Sequence, residues 1–405
     1  MPKVCLYFEL HQPYRLEETN VFDIGNKIDY FEDRGSEINR VIFQKVANKS
    51  YIPMLKILKK QVYKYPEFKF SFSASGIFLE QALSYSPIVI DLLKDLVKSG
   101  QVEILSETYH HSLAALYSES EFKIQIEAHR ALVKKIFNVV PGVFRNTELI
   151  YSNEIAQLIE NEGYLGTLTE AVDRYLDNRS RTQIFSGFTK NKLPLMLKHA
   201  QLSDDIAFRF SDKSWNMYPL TVDKYLDWVQ VYEEDEYVNL FMDFETFGEH
   251  QWKDTGIFSF FEDFVEEFLD NKWNEFVTPT DVFKNYFSTD KKETKKLRNK
   301  LPDYNVPEPI SWADVDRDLT AWRDNDFQHD TLRIIYDLEE DVIATKNEGL
   351  IKDWRRLQTS DHFYYMCTKW SEDGDVHAYF SPYKSPFEAY KRYSIILADL
   401  RERLI

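Results

Sequence analysis

Short apolar runs that end in polar residues alternate with longer helical patterns through the first two thirds of this 405-residue chain. This alternation is typical of repeated β-α units, which build a parallel sheet or a barrel. A barrel carries its active site at the carboxyl ends of its strands, so the residues that follow each run are the first candidates for chemistry. The predicted strands are Lys3–Leu10, Lys69–Ser73, Val102–Ser106, Val143–Thr147, Leu165–Thr169 and Tyr237–Asp243.

The pattern changes after about residue 280. A dense basic run over residues 291–300 is followed by Pro302, Pro307 and Pro309, which is typical of a solvated loop or a helix end. We therefore expect a barrel over residues 1–280 and a mainly helical region over residues 281–405. The predicted helical stretches of the second region are Val315–Trp322, Gln328–Lys346 and Ser385–Leu404.

Charge and composition exclude several classes of partner. The formal net charge of −17 repels phosphate backbones and anionic lipid, so we expect neither nucleic acid nor a membrane surface as a partner. No apolar run approaches the roughly 20 residues of a membrane helix, and the first residues lack the features of a secretory signal, which predicts a cytoplasmic location. The chain also lacks the glycine-rich and nucleophile-elbow motifs of nucleotide-binding proteins and α/β-hydrolases, so we expect no cofactor.

The segment after the last predicted strand concentrates polar groups. An apolar run ends at Asp243, and Glu245, Glu249, His250 and Trp252 follow within one loop. An aspartate at a strand end either takes part in catalysis or caps the next turn. Carboxylates, an imidazole and an aromatic face in one loop are what a site for a polyol requires, so this segment predicts a sugar site.

A second carboxylate ends another predicted strand. Glu148 lies close to Arg145, and taken alone it would be a first-turn acid of a helix or the partner of that arginine. Together with Asp243 it forms the pair of carboxyl groups that glycoside hydrolysis uses. One group protonates the leaving oxygen, and the other attacks the anomeric carbon.

Three further clusters follow the same logic. His11 and Gln12 end the first strand and can bind sugar hydroxyls. The third strand leads to His110 and His111, but adjacent histidines do not readily chelate one ion and no zinc motif accompanies them, so we expect no metal. The stretch 359–366 mixes polar and aromatic groups, as a lid over a site or a core segment would.

These segments, in order, resemble glycoside hydrolase family 57, which contains α-amylases, 4-α-glucanotransferases and branching enzymes. The five signature regions of that family are similar to His11-Gln12-Pro13, to residues 100–104, and to the stretches around Glu148, Asp243 and Asp361. The sequence that follows Asp243 is similar to that of the short α-amylase-like branch of the family. The resemblance implies an α/β fold with an incomplete (β/α)7 barrel followed by a C-terminal helical bundle, and a retaining mechanism on an α-glucan or maltooligosaccharide.

Carried over by position, the resemblance implies that Glu148 is the nucleophile and Asp243 the general acid/base. Tyr364 stands where many relatives of the family have tryptophan. The residues expected to contact the substrate are His11, Gln12, Glu103, His111, Arg145, His250, Trp252, Asp361, His362 and Tyr364.

Several alternatives stay open on the sequence. Hydrolysis and transfer of glucans are not distinguished. A zinc-dependent α-mannosidase or polysaccharide deacetylase would use His11, His110 or His111 as metal ligands, and a non-catalytic protein would bind glucan without turnover. The sequence does not specify the oligomeric state.

Overall fold

The computed structural model describes residues 2–26, 28–31, 37–369 and 381–405. Within these residues the backbone alternates between strands and helices, as the apolar pattern predicts. The strands are β1 (Lys3–Leu10), β2 (Phe70–Ala74), β3 (Val102–Leu105), β4 (Phe144–Arg145), β5 (Thr167–Thr169), β6 (Phe185–Gly187), β7 (Pro194–Leu197), β8 (Val238–Asp243), β9 (Glu275–Phe276) and β10 (Asp303–Tyr304).

Helices follow most strands and dominate the second half of the chain. The α-helices are Ile38–Val46, Ile52–Lys64, Gly76–Tyr85, Pro87–Lys98, Ala114–Tyr117, Glu119–Phe137, Asn153–Asn161, Asp173–Leu176, Ala200–Ala207, Val222–Gln230, Ile257–Asp270, Pro279–Phe283, Lys291–Arg298, Thr320–Arg323, Asp326–Asp337, Glu339–Ala344, Glu348–Arg356, Ser360–Tyr364 and Pro386–Glu402, and Ala47–Tyr51 forms a π-helical turn. Short 3-10 turns are Val21–Asp23, Thr147–Leu149, Phe244–Thr246, Lys253–Thr255 and Lys284–Tyr286. Among the described residues, none of these helices combines the length and the apolarity that crossing a bilayer requires.

Two sheets make up the barrel wall. The first has the parallel order β3-β2-β1-β8, and β9 also pairs with β1. The second has the order β10-β6-β7-β5-β4, in which β6 runs antiparallel to β7. β1 is buried on both faces, which explains why it reads as an almost continuous apolar run.

The two sheets meet on both sides. On one side the Arg145 amide donates to the Ser106 carbonyl at 2.8 Å, which joins β4 to the end of β3. On the other side the His199 amide, just after β7, donates to the Asn239 carbonyl of β8 at 2.8 Å. The result confirms the predicted α/β class with an incomplete (β/α)7 barrel and a helical region after it.

The apolar core crosses from the barrel into the C-terminal helices. One buried cluster contains Phe144 of β4 and Tyr151, a few residues after that strand, together with Trp322, Trp354 and Tyr393. Burying such large rings against the barrel is strongly favourable, at about 25 cal/mol for each Å² of apolar surface removed from water. The C-terminal helices are therefore packed onto the barrel wall.

Several sequence predictions beyond residue 280 were wrong in detail. The basic run, expected as a loop or a helix end, forms the helix Lys291–Arg298, because Asp290 caps it by accepting from the Lys292 amide at 2.8 Å. Asp303–Tyr304 is a strand that pairs with β6, in a region expected to be mainly helical. The helix predicted over Val315–Trp322 begins only at Thr320.

Candidate active site

A cavity of about 560 Å³ lies where the strands of the barrel end. Glu148 and Asp243 both line it, and so do residues of the C-terminal region, from Trp312 to Tyr365. The cavity thus brings together residues that are far apart in the sequence. The predicted site residues that line it are His11, Gln12, His111, Glu148, Asp243, His250, Asp361 and Tyr364.

Glu148 lies in a tight turn just after β4. Its backbone is left-handed, with φ of 56°, and that of Leu149 is also left-handed, with φ of 51°. Left-handed backbone costs a residue with a Cβ roughly 1–2 kcal/mol, so this turn is held by its surroundings. The Trp312 amide donates to the Glu148 carbonyl at 3.3 Å, and the Leu149 carbonyl accepts from the Thr169 hydroxyl at 3.2 Å.

Three donors hold the Glu148 carboxylate. His111 Nε2 and the Ser360 hydroxyl both donate to Oε1 at 3.2 Å, and the Trp312 indole N–H donates to Oε2 at 2.8 Å. Burial raises the pKa of Glu148, but the hydrogen bond and the positive charge of His111, together with the Trp312 bond, outweigh it. The pKa of Glu148 therefore lies below its ordinary value, and this group is ionised at neutral pH.

Asp243 is the last residue of β8 and has the opposite electrostatic environment. Burial, followed by the negative charge of Glu148, raises the pKa of Asp243 to about 7. The charges of Arg145, Lys198 and His111 oppose this rise but do not cancel it. Two carboxyl groups in one cavity are thus held in different protonation states near neutral pH, as a nucleophile and a general acid require.

His111 is the centre of a buried charge cluster beside Glu148. Its Nδ1 donates to Glu107 Oε2 at 3.2 Å and lies 3.3 Å from Glu9 Oε1. Burial lowers the pKa of His111, but Glu9, Glu107 and Glu148 raise it well above its ordinary value. His111 is therefore an imidazolium, and its charge keeps Glu148 ionised.

Arg145 stabilises this cluster through Glu9, on the side away from the cavity. It is completely buried and donates two hydrogen bonds to Glu9, whose position in β1 is opposite Asp243 in β8. Paired in this way, a buried arginine and carboxylate are satisfied in a low-dielectric interior. Arg145 therefore fixes Glu9 and does not reach the cavity.

The C-terminal region contributes Asp361, which bonds a histidine at the end of β1. His11 Nε2 donates to Asp361 Oδ2 at 2.9 Å, and the Ser75 hydroxyl bonds Nδ1 at 2.8 Å. The His11 ring stacks on that of His111 at a centroid distance of 3.9 Å. Burial and the charge of His111 lower the pKa of His11, so it is the neutral member of the stacked pair.

The loop after Asp243 adds a second buried carboxyl group. Tyr51 and Gln12 donate hydrogen bonds to Glu245, the Gln12 bond measuring 3.2 Å. Burial and the charge of Asp243 raise the pKa of Glu245 to about 8. Burial lowers the pKa of His250 to about 4, so this imidazole faces the cavity in its neutral form.

Four of the predicted contacts do not line the cavity. Glu103 is the second residue of β3, at the end away from the cavity, where it accepts from the Thr280 amide at 2.9 Å and from its hydroxyl at 2.6 Å. Trp252 is 57% exposed outside the cavity, and His362 is buried and donates to the Arg356 carbonyl at 3.2 Å. Arg145 is also buried and does not line the cavity, so these four residues lie away from the space in which substrate contacts were expected.

Several cavity residues were not predicted. Glu9 lines the cavity and is a single charged residue near the end of an apolar strand. Glu107 is buried beside His111, does not line the cavity and follows the end of β3, so strand-end position is a signal for both. Lys198 follows β7 and lies 4.8 Å above the Trp312 ring. No sequence pattern points to Trp312, because it reaches the cavity from an irregular segment.

Two groups of side chains have the composition of a metal site. In the described residues they are His11, His111 and Asp361, and Glu9, Glu107 and His111, with ligand atoms within 4.8 Å of one another. In both groups protein bonds already join the candidate ligand atoms. Asp361 bonds His11, and Glu9 is paired with Arg145, so these residues fit an ion poorly without rearrangement.

Comparison of the sequence with known proteins finds a matching family and several relatives. The model of glycosyl hydrolase family 57 matches residues 5–297. A protein of Methanocaldococcus jannaschii, named as a proposed α-amylase, is 39% identical over 98% of this chain and 83% of its own length. A 4-α-glucanotransferase of Thermococcus litoralis is 29% identical over 122 residues, which is 30% of this chain and 18% of that protein.

The fold also matches solved structures. The crystal structure of a branching enzyme of this family from Pyrococcus horikoshii superposes with a TM-score of 0.67 at 15% identity, and the match covers 98% of this chain and 96% of that one. The family model covers well over half of the chain, and the M. jannaschii protein is similar over nearly all of it. The chain therefore belongs to glycosyl hydrolase family 57.

Proposed function

We propose that this glycoside hydrolase cleaves α-1,4-glucans with retention, using Glu148 as the nucleophile and Asp243 as the general acid/base. The observation that carries the proposal is the pair of carboxyl groups with opposite pKa shifts in one cavity. One group is ready to attack, and the other holds a proton near neutral pH. This is the division of labour that retaining hydrolysis requires.

In the first step a Glu148 carboxylate oxygen attacks the anomeric carbon while Asp243 gives its proton to the glycosidic oxygen. The bond between that carbon and that oxygen breaks, and a glycosyl ester forms on Glu148. Esterification removes the negative charge of Glu148. Because that charge helps to raise the pKa of Asp243, the aspartate becomes a stronger acid and loses its proton more readily to the departing sugar.

In the second step Asp243, now ionised, takes a proton from a water molecule that attacks the same carbon. The ester bond breaks, Glu148 leaves as a carboxylate, and Asp243 is again protonated. His111, Ser360 and Trp312 stabilise the leaving carboxylate, because each donates a hydrogen bond to it.

The substrate class rests on the relatives and on the lining of the cavity. The T. litoralis relative acts on α-glucans by its name. Trp312 and Tyr364 line the cavity, are partly exposed and can stack on pyranose units. The groups that bind hydroxyls there are His11, Asp361 and His250.

Transfer to a second glucan is the alternative outcome of the same intermediate. The similarity to the T. litoralis 4-α-glucanotransferase over 122 residues is the reason to test for transfer. Water and a sugar hydroxyl compete for the same ester on Glu148, so the ratio of the two products reports which acceptor the cavity prefers.

Incubation with maltoheptaose, followed by separation of the products by length, tests the proposal. Hydrolysis yields only shorter chains with new reducing ends, and transfer yields longer chains as well. The first product must have the α configuration when observed by NMR before mutarotation. Formation of a β product, or no more product than a heat-denatured control gives, would refute the proposed function.

A further inference from the structure

A second groove, which we call the tryptophan groove, lies beside the catalytic cavity. It has a volume of about 670 Å³ and is lined by Trp215, Trp228, Tyr232, Met217 and Val231. The two indole rings meet edge to face, with their centroids 6.0 Å apart. The groove therefore contains partly exposed aromatic rings beside the helices Ala200–Ala207 and Val222–Gln230.

Packing onto the barrel core accounts for only part of this surface, because Trp215, Trp228 and Tyr232 contact the core but are only partly buried. Val231 is 76% exposed and Met217 is 39% exposed, whereas Tyr225, on the same helix as Trp228, is fully buried. The helix thus turns one face to the core and leaves Trp228 at its margin. An apolar patch of this kind, once it is edged by polar groups, usually binds something.

The polar groups at the edge are suited to hydroxyls. Gln201 and Asn216 are exposed amides that can both donate and accept hydrogen bonds. Asp205 and Arg209 form an ion pair at 2.5 Å that also lines the groove. Ring faces bordered by amides and a paired charge match a pyranose, which has apolar faces and a rim of hydroxyls.

The groove continues the catalytic cavity. Arg209 lines both, and its neighbour Phe208, 51% exposed, lines the cavity. A long chain that leaves the cavity past Phe208 and Arg209 therefore reaches the two tryptophans. This continuity points to the same ligand in both places.

We propose that the tryptophan groove binds the distal part of a long α-glucan chain whose other part occupies the catalytic cavity. This inference rests on the proposed function. Binding in the groove makes the protein selective for long chains, because a maltotriose occupies only the cavity while amylose also reaches the groove.

Trp215→Ala tests the groove. Amylose binding is measured in the Glu148→Gln background, so that the chain is not consumed, and kinetics on maltotriose are measured with Glu148 intact. We expect amylose to bind about tenfold more weakly, the loss that roughly 1.4 kcal/mol of ring stacking represents, and maltotriose kinetics to stay within about twofold. Trp273→Ala, at a tryptophan that is 67% exposed and lines neither cavity, is the matched control.

A second variant distinguishes loss of binding from a folding defect in Trp215→Ala. Val231→Glu changes a residue that is 76% exposed, and its control is Val140→Glu, at a valine that is 60% exposed elsewhere. We expect only Val231→Glu to weaken amylose binding. Wild-type affinity in both groove variants would overturn the inference, and so would a change of oligomeric state with Trp215→Ala, because the groove would then join two copies of the chain.

The two proposals fail in different ways. If the wild-type chain hydrolyses no glucan but the groove variants still weaken amylose binding, the tryptophan groove stands and the proposed function fails. If the chain hydrolyses maltoheptaose and the groove variants bind amylose normally, the function stands and the groove inference is withdrawn.

Discussion

Glu148 and Asp243 show how two carboxyl groups of similar chemistry acquire different roles from their neighbours. Glu148 has three donors and the positive charge of His111, whereas Asp243 is buried next to the negative charge of Glu148. The sequence locates both groups, because each follows an apolar run. It does not show the donors, because Trp312 and Ser360 come from segments more than 150 residues further along the chain.

Glu148→Gln and Asp243→Asn should each reduce activity by roughly a thousandfold, since each side chain keeps its size but loses its charge or its proton. Azide should restore part of the activity to Glu148→Gly and yield a β-glycosyl azide. Product assays on maltoheptaose measure both effects. Near-normal activity in either amide variant would remove that residue from the mechanism.

The folded state of the aspartate variant can be checked by its stability. Asp243 holds its proton up to a pH of about 7 in the folded protein but releases it near pH 4 when unfolded, so folding stability falls as the pH rises through this window. The amide that replaces it in Asp243→Asn does not titrate. The melting temperature of this variant should therefore equal or exceed that of the wild-type protein at pH 8, and a lower value would mean that the variant is misfolded.

Activity should fall as the pH rises above about 7, because Asp243 then loses the proton that it donates. In Glu148→Gln the neighbouring negative charge is gone, so the pKa of Asp243 should move down. NMR titration of carbon-labelled aspartate measures this shift directly. An unchanged pKa would mean that the two groups do not interact as the cavity implies.

At the scale of elements, the site is shared between the barrel strands and the later part of the chain. The helix Ser360–Tyr364 provides Ser360 and Asp361, and β10 extends the second sheet beside β6. The alternating pattern predicted β1 with its observed bounds and five other barrel strands within a few residues. It missed β6, β7, β9 and β10, which are only two to four residues long, whereas the equally short β3, β4 and β5 lie within longer predicted runs.

Truncation near residue 285 should therefore give insoluble or inactive protein. It removes β10, Trp312 and Asp361 together, and it uncovers the apolar surface under the C-terminal helices. Asp361→Ala is the milder probe, and we expect it to weaken substrate use strongly while changing the melting temperature by only a few degrees. A soluble truncated barrel with full activity on maltooligosaccharides would contradict this shared site.

At the scale of the whole molecule, the boundary at residue 280 between the barrel and the helical region rests on a change in the sequence pattern. The boundary stays a prediction, and the buried cluster that joins Phe144 and Tyr151 to Trp322, Trp354 and Tyr393 crosses it. From charge and composition it was possible to predict that nucleic acid and membrane surfaces are not partners. Charge and composition could not predict this shared core, because the pairing of distant aromatic residues leaves no local signal.

Unfolding should accordingly occur in one transition. Calorimetry and tryptophan fluorescence should give the same midpoint, because the core cannot lose the C-terminal helices without exposing the barrel wall. Two separate transitions would show that the helical region folds as an independent domain.

Activity should also survive exhaustive chelation. The proposed reaction uses only carboxyl groups, and the candidate ligand atoms already bond one another or Arg145. Loss of activity together with a stoichiometric zinc ion, and its recovery when zinc is returned, would instead support the mannosidase or deacetylase alternative.

The left-handed backbone at Glu148 has a consequence for how this chain can evolve. A glutamate at φ of 56° is retained against the preference of its own backbone, and glycine or asparagine would occupy the same turn more comfortably. As long as selection acts on turnover, the glutamate persists. In a lineage released from that selection, glycine or asparagine would relieve the backbone strain at this position, but it would also leave His111, Ser360 and Trp312 without the carboxylate that accepts their hydrogen bonds.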